Sequence, residues 1–142
     1  MKCLGIAIKK NEVWFSLVEG SSKELANIVC VNKQAFKADS QKLMLDFHNI
    51  FFELISKYNP DRVAYKVSLD TNKQQIPYMH YSLGILNLIC LQKGISTTER
   101  TNMWITAGKK AKINLFNEHF KEANYKNEAL AASLIAWYEL GE

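Results

Sequence analysis

Two hydrophobic periods follow one another along this chain. Near the N-terminus apolar residues recur at every second position, and further on at every third and fourth. The first period predicts strands and the second predicts helices buried on one face. Lys2–Ile8 reads as a strand, followed by the polar turn Lys9-Lys10-Asn11-Glu12. Val13–Val18 reads as a second strand, with Val13, Phe15 and Leu17 on one face and Trp14, Ser16 and Val18 on the other. Gly20-Ser21-Ser22 closes it, and Leu25–Val31, rich in β-branched residues, reads as a third. Short runs with tight turns predict an antiparallel meander.

The spacing then lengthens. Ala38–Tyr58 places Leu43, Phe47, Ile50, Phe51, Leu54 and Tyr58 along one helical face, with Asp39 or Ser40 as its cap. Asn59-Pro60 ends that helix, because the residue before proline avoids helical geometry. Arg62–Ser68 reads as a fourth strand, Leu69–Pro77 as a polar loop, and Tyr78–Lys93 as a second helix closed by Gly94. Ile95–Glu99 is a short fifth strand. Thr101–Ala107 is a helical turn, Lys109–Ala123 a helix, and Tyr125–Leu140 a last helix capped by Asn124. Strands that follow helices pair most simply in parallel, through right-handed crossovers. The expected fold is therefore α/β: a mixed five-stranded sheet, three antiparallel strands plus two parallel ones, flanked by helices in one domain over residues 1–142.

Composition narrows the setting. With 48% apolar residues, the 142-residue chain can build a core. The longest apolar run, Leu83–Leu91, is broken by Asn87 and is too short for a membrane span, and the N-terminal stretch is too short for a signal peptide. Cys3, Cys30 and Cys90 are widely spaced with no C-x-x-C motif, which fits reduced core thiols. The expected location is the cytoplasm, with no membrane contact. A net charge of +4 permits nucleic-acid binding without requiring it, and Arg occurs only at Arg62 and Arg100.

Four segments carry a family resemblance. Leu4-Gly5-Ile6-Ala7 is similar to a first-strand L-G-I-D motif, and Pro60-Asp61-Arg62-Val63-Ala64-Tyr65-Lys66 to the approach to A-I-E on strand four. Leu83-Gly84-Ile85-Leu86 with Lys93-Gly94-Ile95 is similar to a helix and H-G-I turn, and Asn127-Glu128-Ala129-Leu130-Ala131 to A-D-A-L-A on the final helix. Together with the element order, they resemble the ribonuclease H-like fold, and within it small RuvC-type Holliday junction resolvases and their bacterial relatives. The resemblance implies a nuclease in which carboxylates from strand one, strand four and the last helix hold two divalent metals. Here those positions are Ala7, Lys66 and Tyr125, and only Glu128 keeps a carboxylate. One glutamate beside an ammonium binds two hard cations poorly. The implied protein has a vestigial site, no metal and no cofactor. It acts by association with itself, a protein partner or nucleic acid.

Lys66 and Glu128 are then expected to form an ion pair where the metals would sit. Alternatively both are solvated and apart, with Glu128 favouring the helix N-terminus by its charge. A second functional reading is a metal-dependent nuclease with a relocated acid set: Asp70, Glu99 and Glu128. A third is a sequence-independent nucleic-acid binder using Lys109, Lys110 and Lys112 at the start of a helix, where free N–H groups and ammonium groups suit phosphate. The glycine spacing there is wrong for a phosphate-binding P-loop. His80 heads a helix and reads as structural, while His48 and His119 lie far from any partner ligand. The second helix is apolar nearly all round, with Tyr81, Ile85, Leu88 and Ile89 on one side and Leu83, Leu86, Cys90 and Leu91 on the other. One side meets the sheet. The other, Leu83, Leu86, Cys90 and Leu91, is expected to meet the first helix or to form a homodimer interface.

Overall fold

The computed structural model describes residues 1–9, 12–36, 42–67 and 76–141, and for 76–80 the backbone only. Its elements, in chain order, are β1 (Lys2–Lys9), β2 (Glu12–Glu19), β3 (Asn27–Ala35), α1 (Leu43–Tyr58), β4 (Arg62–Val67), α2 (Ile76–Gln92), β5 (Ser96–Thr101), α3 (Asn102–His119) and α4 (Asn127–Glu139). The strands form one sheet in the order β3-β2-β1-β4-β5. β1, β2 and β3 pair antiparallel, while β4 lies parallel to β1 and β5 parallel to β4. This is the expected mixed α/β sheet.

Alternation along the strands divides the core into two. Leu4 and Ile6 of β1, Val13, Phe15 and Leu17 of β2, and Val63 and Tyr65 of β4 pack under α1 and α2. Cys3, Ala7, Val18 and Ala64 face the other way, with α4 and part of α3. α4 lies close against the sheet because its inner residues are small: Ala131, Ala132, Ser133 and Ala136. Gly5 completes that contact. A Cβ at position 5 would collide with the Ala132 carbonyl, so only glycine fits there. The buried Ser133 hydroxyl lies 2.9 Å from that of Ser16 and donates to the Ala129 carbonyl.

Turn chemistry sets several boundaries. Asn59 adopts a left-handed conformation (φ 45°) and its N–H donates to the Ile55 carbonyl, ending α1 just before Pro60. Gly94 (φ 71°) follows α2, and the Ile95 N–H returns to the Cys90 carbonyl at 2.8 Å. Asn87, the polar break in the longest apolar run, ties α2 to the sheet: its amide donates to the Tyr65 hydroxyl and accepts from Thr97.

Some boundaries differ from expectation. The proposed caps Asp39 and Ser40 lie outside the described residues, and α1 is described from Leu43. β3 runs on to Ala35 because the β2 pairing continues that far, and β5 extends to Thr101, whose hydroxyl then caps α3 by accepting from the Trp104 N–H. α4 begins at Asn127 rather than Tyr125. Asn124 does not cap it; Asn124 (φ 52°) belongs to the left-handed turn before the helix, and Lys126 is the cap residue.

Candidate functional site

The parallel register of β1 and β4 pairs Gly5 with Ala64 and Ile6 with Tyr65, so Ala7 and Lys66 follow at one level. Lys66 is paired in turn with Arg100 of β5. Strand alternation turns this row toward α4, whose first turn carries Glu128. The Lys66 Nζ donates to Glu128 Oε2 at 3.4 Å, with both side chains largely buried. The expected ion pair is present, and Ala7 is wholly buried beside it. Burial of a lone ammonium would be costly, and the carboxylate is the group that offsets it. Tyr125, expected one helical turn before Glu128, instead precedes α4 and packs partly against the helix-side core.

A second ion pair ties the same helix to β5, and sequence reasoning missed it. Arg100 Nη2 lies 3.3 Å from Glu139 Oε1, Thr98 donates to Glu139 Oε2 at 3.1 Å, and Arg62 donates to the Glu139 carbonyl at 3.4 Å. Glu139 is almost completely buried. The spacing that would have found it is Glu128, Ala132, Ile135, Glu139. Steps of four, three and four put both carboxylates on one helical face.

The relocated acid set is not assembled. Glu99 is paired with Tyr65, whose ring lies under α1 and α2, so Glu99 belongs to the opposite sheet face from Glu128. Asp70 and the side chain of His80 lie outside the described residues. Among the described residues no group of three His, Cys, Asp or Glu side chains is placed to hold a metal ion. His48 stacks on Phe52 of its own helix, and His119 stacks on Trp137.

Lys109, Lys110 and Lys112 are exposed or half-buried in α3, but they do not simply open a helix. α3 is interrupted: Ala107 is extended, and Gly108, Lys109 and Lys110 are all left-handed (φ 66°, 56° and 65°). The left-handed form costs a non-glycine residue about 1–2 kcal/mol. Beyond the break, Lys112 lies over the Trp104 ring at 4.6 Å, and the Arg100 guanidinium lies 4.2 Å from the same ring.

The interface residues expected on α2 are mostly elsewhere. Leu83, Leu86 and Cys90 are buried in the core with Ile85 and Ile89, and only Leu91 is exposed. At 100° per residue, these five inward positions span one continuous arc, and Tyr81, Leu88 and Leu91 fall on the opposite one. The outward arc is at least half exposed and continues onto α1, where Met44, Leu45 and Phe52 are also exposed. α1 and α2 pack side by side, with Lys93 over the Phe52 ring.

No protein-family model and no curated protein matches this sequence. Solved structures do match its fold. Thermus thermophilus RuvC aligns with a TM-score of 0.76 at 16% identity, covering 96% of this chain and 92% of that one. T. thermophilus RuvC in complex with a Holliday junction substrate aligns at 0.75 and 15% identity, covering 96% and 90%. The yeast mitochondrial Holliday junction resolvase Ydc2 aligns at 0.72 and 9% identity, covering 97% and 77%. The sheet order, the parallel β1-β4-β5 unit and α4 across it define a ribonuclease H-like fold. Within that fold, the solved neighbours are RuvC-type Holliday junction resolvases.

Proposed function

We propose that this chain is a catalytically degenerate RuvC-like protein that works by association rather than hydrolysis. One observation carries the reading: at the level of Ala7, an ammonium–carboxylate pair, Lys66 with Glu128, fills the space between β4 and α4. A two-metal site needs several oxygen donors converging there. In this chain the pair satisfies its own charges, and Ala7 offers no donor. Free, unpaired thiols at Cys3, Cys30 and Cys90 fit a reducing, cytoplasmic setting.

The association this reading favours is with a second copy, through the outer face of α1 and α2. Met44, Leu45, Phe52, Tyr81, Leu88 and Leu91 give that face its apolar surface. A two-fold contact would lay this apolar face of each copy against the same face of the other.

The test of non-hydrolytic action is incubation of the full chain with branched and single-stranded DNA and RNA in Mg²⁺ or Mn²⁺. The expected result is intact nucleic acid. Cleavage that disappears in Glu128→Gln would overturn the reading.

A second reading, nucleic-acid binding without cleavage, is favoured by the strained segment that carries Lys109 and Lys110 and by the RuvC neighbour solved with a Holliday junction substrate. In this reading Lys109, Lys110 and Lys112 contact phosphates and sequence is not read.

A further inference from the structure

The chain carries four more positive than negative charges, yet one groove on it is acidic. The groove, about 890 Å³, runs between the β2–β3 connection and the end of α3. Its charged lining is Glu24, Glu118 and Glu122 against the single ammonium of Lys121, and Ile28, Phe120 and Tyr125 give it apolar surface. It opens beside the start of β3, the terminal strand of the sheet.

The outer edge of β3 is left unpaired by the described strands, and the nine-residue strand contains no proline. Edge strands are commonly guarded by an outward lysine, a proline or a bulge. The only lysine of β3, Lys33, is turned back across the sheet. It pairs with Glu12 at 2.8 Å and lies over the Trp14 ring. A bulge does occur, at Val29, where Leu17 pairs with Cys30 and Val18 with Ile28. It protects only the first residues of the strand. From Cys30 to Ala35 the ladder is regular, and the Lys33 N–H already donates to Asn32 Oδ1 at 2.8 Å, a local contact that an added strand displaces or pairs around.

We propose that β3 and this groove receive an extended, lysine- or arginine-rich segment of a partner protein by strand addition. The segment pairs with Cys30–Ala35, and its basic end enters the groove among Glu24, Glu118 and Glu122. Main-chain hydrogen bonds supply the pairing, and the groove supplies the selectivity for positive charge. This surface stands whether or not the chain cuts nucleic acid or pairs with itself through α1 and α2.

The test begins with selection of phage-displayed random ten-residue peptides on the full chain. The expected sequences interleave Lys or Arg with β-branched or aromatic residues. A synthetic peptide of that sequence should bind more weakly as salt rises and should shift the amide resonances of Cys30–Ala35 and Glu24–Ile28. It should lose at least tenfold affinity in Glu118→Lys/Glu122→Lys. Both glutamates are exposed, so the fold should survive, and Glu24→Lys gives an independent reading of the same charge effect. Selection of nothing, or of neutral or acidic sequences, overturns the proposal. So do amide shifts confined to other elements, and unchanged affinity in both the double and the Glu24 variant.

Discussion

Lys66 on β4 and Glu128 in the first turn of α4 meet at 3.4 Å, with their side chains only 14% and 10% exposed. Removing one charge strands the other in a largely dry site. Lys66→Met or Glu128→Gln should therefore lower stability by about 1–3 kcal/mol. Replacing both, as Lys66→Met/Glu128→Leu, should restore most of it, because an apolar pair has no charge to desolvate. Urea denaturation of the four proteins checks this. Equal losses for the double variant and the sum of the singles would mean that the groups do not act as a pair.

The same geometry makes a metal site recoverable. Ala7→Asp with Lys66→Glu would place three carboxylates, counting Glu128, on one level between β1, β4 and α4. Without metal they repel, so the variant should melt below the parent. Saturating Mn²⁺ should raise its stability by about 2.7 kcal/mol at a hundredfold excess over the dissociation constant. Calorimetric titration should show Mn²⁺ binding in the double variant and none in the parent. Binding of comparable strength by the parent would contradict the charge argument above.

Much of the fold could be read from particular residues. Val13, Phe15 and Leu17 alternate with Trp14, Ser16 and Val18, and the two sets do enter different layers of the core. Asn59-Pro60 stops α1, and the helix-to-strand order gives parallel β4 and β5. What escaped depended on angles that composition does not carry. On a helix as uniformly apolar as α2, periodicity cannot choose the inward arc; contact with α1 and β5 does so, drawing Leu83, Leu86 and Cys90 inward. The break at Ala107–Lys110 lies in a run of good helix formers, where only Gly108 hints at it. The Lys66–Glu128 pair was foreseeable because the resemblance put both residues at one place. The Arg100–Glu139 pair was not, because neither residue matches a motif.

The outer face of α1 and α2 makes a direct prediction about assembly. Leu88 is 51% and Leu91 78% exposed on α2, next to the exposed Phe52 of α1. Sedimentation equilibrium should give a dimer for the parent and a monomer for Leu88→Lys/Leu91→Glu, with the circular dichroism unchanged because neither side chain enters the core. A parent that remains monomeric at 100-micromolar concentrations (roughly the range in which a weak specific interface still populates a dimer) would remove this face as a self-association surface.

For the lysines of α3, the measurable quantity is a salt slope. Each phosphate neutralised contributes roughly 0.9 to the slope of log affinity against log salt on duplex DNA. Changing Lys109, Lys110 and Lys112 to Ala should lower that slope by up to about 2.7 and weaken binding equally across sequences. Electrophoretic mobility shifts at several salt concentrations read both. A slope unaffected by the triple change would assign any binding to other residues.

The buried thiols give a pH dependence with a definite sign. Burial pushes the Cys3 thiol from an ordinary 9.0 up to about 12, with added repulsion from Glu139, and burial alone pushes Cys90 up to about 11. The folded chain therefore holds these protons more tightly than the unfolded chain. Their contribution to stability is fully present below pH 9 and falls as pH rises through the window toward 11 and 12. Within that window each thiol should cost about 1.4 kcal/mol per pH unit. Urea melts of the parent and of Cys3→Ala/Cys90→Ala between pH 8 and 11 separate this from other titrating groups, since the variant loses only the two thiol contributions. The variant should start slightly less stable, because two small cavities remain, and should then decline less steeply with pH than the parent. Parallel curves would mean that Cys3 and Cys90 ionise in the folded chain as readily as in the unfolded one, and would overturn the argument from their burial in the core.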